Sequence, residues 1–328
     1  MSKQLSIGLL AMFLWLPLAS TVASAPDLLL KMNAAFSEQN YDGIFTYDAG
    51  SGLTSIRVVH KILEGQQRER LVHLNGAPRE ILRRGEKVVS LVMPGDDLAV
   101  LENSIPSGPF ARSFVREFER LGSSYRVEEM GQGRVAGRKA RRLAVTPKDS
   151  HRYGFRLWLD AENHLLLRSQ LVDANGRKLE EFLFSSILFG DSVLDAALES
   201  EGMNGSMVSH LTLKNAHPTA VSDRGQFPVN WSVAWLPPGF KMASADIRRK
   251  PANGQTVNSM IYSDGLATFS IFLERMPEKG AARMTARNGA TVAVARGIMG
   301  PSNYFLATLV GEIPERTGAR IVESISAE

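Results

Sequence analysis

In PDLLLKMNAAFSEQ (26–39), Leu28, Leu29, Met32, Ala35 and Phe36 recur at helical spacing, which predicts an amphipathic helix. From Gly43 onward the period falls from about 3.6 to about 2, and short strand-like runs follow one another. GIFTY (43–47), LTSIRVVHKIL (53–63) and QRERLVHL (67–74) lead to an Asn75-Gly76 hairpin signal, and REILRR and KVVSLVM continue the series. Within 53–63, Ile56, Val58 and Ile62 share a face with His60, opposite Arg57 and Lys61. Phe110, Phe114, Phe118 and Leu121 predict one inserted helix over 110–121. Strands then resume as YRVEEM, KARRLAV, YGFRLWLD, HLLLRSQLVD and KLEEFLFSSIL. Such a series predicts a large curved antiparallel sheet or open barrel, a shape able to hold an apolar cavity.

Between about 190 and 226 the period disappears into Ser, Asn, Gly and Thr, as expected of a linker, with one short strand at 208–213. A second, smaller unit follows. WSVAWLPPGF (231–240), TVNSMIYSDGLATFSIFLERM (256–276), TVAVARGIM (291–299) and NYFLATLVGEI (303–313) predict a small antiparallel sheet. Pro314 opens a last helix with Ala319, Val322 and Ile325 on one side, which makes this unit α+β. No internal repeat is present.

Composition changes this picture in three places. Lys3 followed by the apolar run Leu5–Ala19 and the small residues Ala23, Ser24 and Ala25 predicts a secretory signal peptide over 1–25, cut within 23–25. There is no cysteine, which excludes disulfides, thiolate metal sites and a cysteine nucleophile. The net charge of +4 is compatible with an acidic partner or anionic lipid and too weak to argue for DNA.

Candidate chemistry is sparse. The six histidines are scattered, without ligand spacing. GQGRVAG (131–137) has the wrong glycine spacing for a dinucleotide fingerprint and reads as a turn. Asp149, Ser150 and His151 are the residue types of a hydrolase triad. Three consecutive side chains rarely converge, however, because extended backbone sends them to opposite faces. The tripeptide reads as the lead-in turn of the strand after it, and no catalytic residue is assigned. Arg134, Arg138, Lys139, Arg141 and Arg142 crowd one stretch, with Arg68, Arg70, Arg79, Arg83 and Arg84 on neighbouring strands. A solvated face paired to Glu69, Glu80 and Glu86 is the plainer reading; a rim for phosphates or carboxylates is the functional one. Phe45, Tyr47, Trp158, Phe182 and Phe184 likewise read first as core and second as the lining of an apolar pocket.

Six blocks carry a family resemblance: YDGIFTYDAGSGLTSIRVVH, RERLVHLNGAPREILRRGEKV, the run from VAGRKARRLAV to KLEEFLF, WLPPGF, YSDGLATFSIFLE and LVGEIPERTGARIVESI. In order and across the chain they resemble the RseB/MucB family, periplasmic regulators of a sigma-E (AlgU-type) envelope-stress sigma factor. The resemblance implies a half-open barrel similar to the lipoprotein carriers LolA and LolB, with a helical plug, over 26–200. It also implies a linker at 201–226 and an α+β domain at 227–328. The implied partner is the periplasmic segment of an RseA/MucA-type anti-sigma factor, bound between the domains and shielded from a DegS-type site-1 protease. Lipopolysaccharide or another lipid would release it, acyl chains entering the barrel and phosphates meeting the arginines. No cofactor and no nucleic acid are implied, and self-association is left open. Ile44, where a small polar residue is expected, and the long linker depart from the family pattern. The alternative is a periplasmic lipid or lipoprotein carrier, for which the second domain would be superfluous.

Overall fold

A computed structural model describes residues 24–50, 52–76, 79–84, 87–92, 118–199, 208–209, 231–249, 256–276 and 283–327. The expected signal peptide, apart from Ser24 and Ala25, and the helical positions Phe110 and Phe114 lie outside them. Helix α1 (Ala25–Glu38) is N-capped by Ser24, whose backbone N–H donates to Asp27 while its hydroxyl accepts from the Asp27 N–H.

The first unit is one antiparallel sheet of eleven strands. They are β1 (Tyr41–Asp48), β2 (Leu53–Leu63), β3 (Gln66–His73), β4 (Arg79–Arg84), β5 (Lys87–Val92), β6 (Tyr125–Val135), β7 (Arg138–Pro147), β8 (Gly154–Asp160), β9 (Leu166–Val172), β10 (Lys178–Phe189) and β11 (Val208–Ser209). A short helix, α2 (Phe118–Ser124), precedes β6. The spatial order is β11-β5-β4-β3-β2-β1-β10-β9-β8-β7-β6, and β11 and β6 do not pair, so the barrel is open.

Register decides which side chains face inward. Leu143, Leu157, Ser169, Phe182 and Tyr47 lie directly opposite one another on consecutive strands. With Phe45 and Phe184 they form the inner face, and Leu28, Leu29 and Met32 of α1 join the same core at 0% exposure. The helix therefore fills the concave side. On the outer face, two turns of 3₁₀ helix (Gly190–Ser192 and Asp195–Leu198) pack Val193 and Leu198 on Val59. Lys61 donates to the Val193 carbonyl at 2.7 Å, and Arg70 to that of Ala197 at 3.1 Å, so the chain leaving the barrel is bonded to its back.

The second unit has six strands in the order β13-β14-β15-β18-β17-β16. These are β13 (Lys241–Arg249), β14 (Thr256–Ser263), β15 (Thr268–Met276), β16 (Met284–Asn288), β17 (Thr291–Met299) and β18 (Tyr304–Gly311). Helix α3 (Glu315–Glu323) lays Ile321 and Val322 on Val292, Val294, Ile271 and Leu309. A two-stranded ribbon joins β12 (Trp231–Val233) to β19 (Ile325–Ala327).

Three local expectations change. GQGRVAG is mostly strand: β6 runs to Val135 through a bulge between Glu129 and Gln132, and the turn proper is Ala136-Gly137. Ile325 belongs to β19 rather than to the last helix. Strands β13 and β16 carry no sequence signal because they are sheet edges; every residue of β16 is exposed, so no face imposes alternation.

Candidate functional site at the junction of the two units

DSHRY, between β7 and β8, meets the second unit. Asp149 forms an Asx turn by accepting from the His151 N–H at 2.9 Å, which turns the Arg152 side chain toward the second unit. The Arg152 side chain is fully buried, yet all three of its nitrogens are occupied. Nε and Nη2 donate to Asp149 at 3.1 and 3.0 Å, Nη2 also to the Pro238 carbonyl at 2.6 Å, and Nη1 to Asp264. The guanidinium lies over the rings of Tyr125 and Phe240, at 5.5 and 5.1 Å from their centroids. Asp264, in the β14–β15 turn, accepts also from the Tyr125 hydroxyl at 3.1 Å and from the N–H groups of Leu266 and Ala267. Burial and the Asp264 charge push the Tyr125 phenol well above its ordinary range, so it remains a donor.

Beside this network, the His151 ring meets Trp235 edge-on at 5.2 Å, and its Nδ1 lies 3.3 Å from the Thr317 hydroxyl. Arg320 covers Trp235 at 3.8 Å. Gly239 closes the WLPPGF loop at φ +90°, and a Cβ there would stand 2.6 Å from the Ser124 hydroxyl. The triad residue types of 149–151 thus occupy a domain junction: Asp149 is engaged by Arg152, and the imidazole faces Thr317.

A second contact lies at the barrel mouth. Glu180 is in phase with Phe182 and Phe184 and points inward. It accepts from Tyr47 at 2.6 Å and, across the junction, from the Ala290 N–H at 3.0 Å. Burial, and then the Glu180 charge, raise the Tyr47 phenol above its usual range. Gly289, at φ +59°, lies against Ala49, where a Cβ would come within 2.2 Å of the carbonyl oxygen. Leu266 and Ala290, both on hairpin turns of the second unit, are buried in the core of the first. The two units therefore share an apolar and a charged seam.

The residues singled out in the sequence take other places. Phe45, Phe182 and Phe184 pack ring on ring at 4.9–5.8 Å inside the barrel, with Tyr47 at its mouth. Trp158 is the exception, since the Arg142–Trp158–Arg168 register puts it on the outer face. There Arg168 and Arg142 cover it at 4.5 and 5.8 Å. Arg138 pairs with Asp160 and with Glu162, and Arg141 with Glu129 at 2.8 Å. Arg134 and Lys139 are exposed and face each other across the β6–β7 hairpin. Arg70 is buried against Glu80 at 2.6 Å, and Arg83 pairs with Glu69 at 2.8 Å. Glu86 lies outside the described residues.

Sequence reasoning missed Arg152, Asp264 and Glu180. Glu180 had a signal, an acid in the inward phase of KLEEFLF. Arg152 and Asp264 had none, because their partners lie 112 positions apart.

The model of the MucB/RseB N-terminal domain matches residues 24–202, and that of the MucB/RseB C-terminal domain residues 226–326. The sigma factor AlgU regulatory protein MucB of Pseudomonas aeruginosa is 33% identical over 315 residues, covering 94% of this chain and 93% of that one. The sigma-E factor regulatory protein RseB of Escherichia coli K12 is 27% identical, covering 94% and 92%. The complex structure of Pseudomonas aeruginosa MucA/MucB matches with a TM-score of 0.75 at 30% identity, covering 93% of this chain and 99% of that one. A crystal structure of MucB matches at 0.62, covering 93% and 98%.

Proposed function

Because this chain belongs to the MucB/RseB family of sigma factor regulatory proteins, we propose that it captures the extracytoplasmic segment of a MucA/RseA-type anti-sigma factor. Capture takes place in the periplasm, after export on the N-terminal signal. One observation carries the reading: the match to MucB in its complex with MucA(peri) spans both units, at a TM-score of 0.75 over 93% of the chain.

The physical design suits a flexible ligand. A disordered segment pays its ordering entropy on binding, so it gains most from a surface whose two halves are already fixed. The Arg152–Asp264 network and the Glu180 contact fix those halves here. The bound segment is withheld from site-1 proteolysis, because a protease needs it extended and accessible.

Lipid releases it by binding the peptide-free state more tightly. A hundredfold release requires a reciprocal coupling of about 2.7 kcal/mol. At about 0.8 kcal/mol per buried CH₂, a few methylenes supply it. Since Leu28, Leu29 and Met32 occupy the concave side, an acyl chain entering there displaces α1. Arg134 and Lys139, exposed on one hairpin, are the cations open to its phosphates.

The test is digestion of the anti-sigma segment by its site-1 protease. Added protein should slow cleavage, and lipid A should restore it. Unchanged cleavage with saturating protein would overturn capture and shielding together; cleavage that lipid leaves slow would overturn release alone.

A further inference from the structure

Strands β3 and β4 hold a pair of donors that nothing in the described chain uses. Leu71 pairs with Ile81 and both belong to the barrel core, so Glu69 and His73 face inward with them. Arg79 and Arg83, two residues either side of Ile81, share that phase. Arg83 donates from Nη1 to Glu69 at 2.8 Å, although its Nε is left without an acceptor. Arg79 has no carboxylate partner among the described residues. Its Nε is shielded from solvent and bonds to nothing, and His73 Nε2 is in the same state. Val72 pairs with Glu80, which sets His73 beside Arg79 across the two strands.

A shielded donor without an acceptor is rare in a folded chain, and two side by side point to an acceptor from outside it. Burial, followed by the Arg79 charge, lowers the His73 imidazole. A neutral imidazole beside an unpaired guanidinium amounts to one positive charge and several N–H donors, which match a single carboxylate. The pair also lies at the barrel rim, close to the seam. His73 is one residue from exposed Leu74 and two from Asn75. Asn75 stiffens this rim, since its side chain accepts from the Ser55 N–H and donates to the Leu53 carbonyl, both at 2.7 Å. The β1–β2 turn that ends at Leu53 is the one that meets Gly289 of the second unit. Phe45, Ile56 and His73 stand opposite one another on β1, β2 and β3, with Arg79 next on β4. At about 4.8 Å per strand, Arg79 is about 14 Å from β1, a distance that about four extended residues cover.

Resting on the capture described above, we propose that His73 and Arg79 form a rim pocket for the carboxylate of one Asp or Glu side chain of the captured segment, and so fix its register against the seam. Leu28, Leu29 and Met32 fill the concave side, so a short acidic side chain reaching over the rim suits the pair better than a lipid, whose acyl chain must displace α1. An unpaired, half-buried cation contributes nothing to folding, and only a ligand gives it a partner. Removing it should therefore separate two properties: stability holds or rises, while affinity falls.

The test is calorimetric titration of the full chain with the anti-sigma segment from the same genome, each acidic residue of the segment changed in turn to its amide. Arg79→Met should weaken binding of the unchanged segment about tenfold without lowering the urea midpoint. His73→Phe, which keeps a ring and removes the donor, should weaken it about threefold. One amide peptide should lose the same factor as Arg79→Met, and the two changes together should cost no more than either alone. Arg68→Met, in the opposite phase of β3, should leave affinity unchanged. No binding by the parent would overturn capture and the pocket with it. Parent binding that Arg79→Met leaves intact, or weakens without coupling to any one acid, would overturn the pocket alone. Loss of lipid A binding in Arg79→Met, with segment binding kept, would assign the pair to a headgroup and overturn it as well.

Discussion

Arg152 shows how much one side chain holds at this junction. Its charge is buried, and so is that of Asp264; removing one partner strands the other. Arg152→Met should therefore destabilise the protein by about 3–5 kcal/mol, measured by urea unfolding. Replacing Asp264 with Leu in the same chain should recover most of the loss, since two apolar groups leave no charge unpaired. Gly239→Ala adds a Cβ at positive φ against Ser124 and should cost about 1–3 kcal/mol. Asp160 gives a pH test. Burial alone would raise its carboxyl, but the Arg138 guanidinium and the N–H groups of Glu162 and Asn163 outweigh burial and hold it below 3.8. That stabilisation is present above 3.8 and is lost as pH falls through the lowered value, so Asp160→Asn should flatten the acid limb of a stability-against-pH curve.

At the scale of elements, legibility followed burial. Strands with one dry face were readable because alternation is what a dry face demands; β10, with Glu180, Phe182 and Phe184 in one phase, is the clearest. The edge strands β13 and β16 were not, since β16 is exposed throughout and no residue of 241–247 in β13 is buried. Pairing also settled what alternation could not. Trp158 and Leu157 are equally apolar in the sequence, and only the register separates outer from inner face. The arginines were legible as a cluster, but whether each meets a carboxylate, a ring or water depends on strands far away in sequence. The inner face makes a firm prediction of its own. Phe182→Ala should cost about 3–5 kcal/mol by leaving a cavity in the barrel core. Trp158→Ala, on the wetter outer face, should cost less. Equal losses in paired thermal melts would contradict the assignment of faces.

Across the whole molecule, α1 closes the barrel's concave side and two turns of the second unit close its mouth, leaving the seam between units as the place where both are held in fixed relation. A periplasmic carrier would need only the barrel. The match to MucB in its complex with MucA(peri) covers 93% of this chain and takes in both units. The triad types at 149–151 fit this account as ordinary junction residues, with Asp149 orienting Arg152 and His151 lying against Trp235. The most direct test is a calorimetric titration of the full chain with the extracytoplasmic segment of the anti-sigma factor from the same genome. The account predicts saturable one-site binding that weakens at least tenfold when Arg152→Met loosens the seam; no heat of binding, or an affinity indifferent to that substitution, would contradict it.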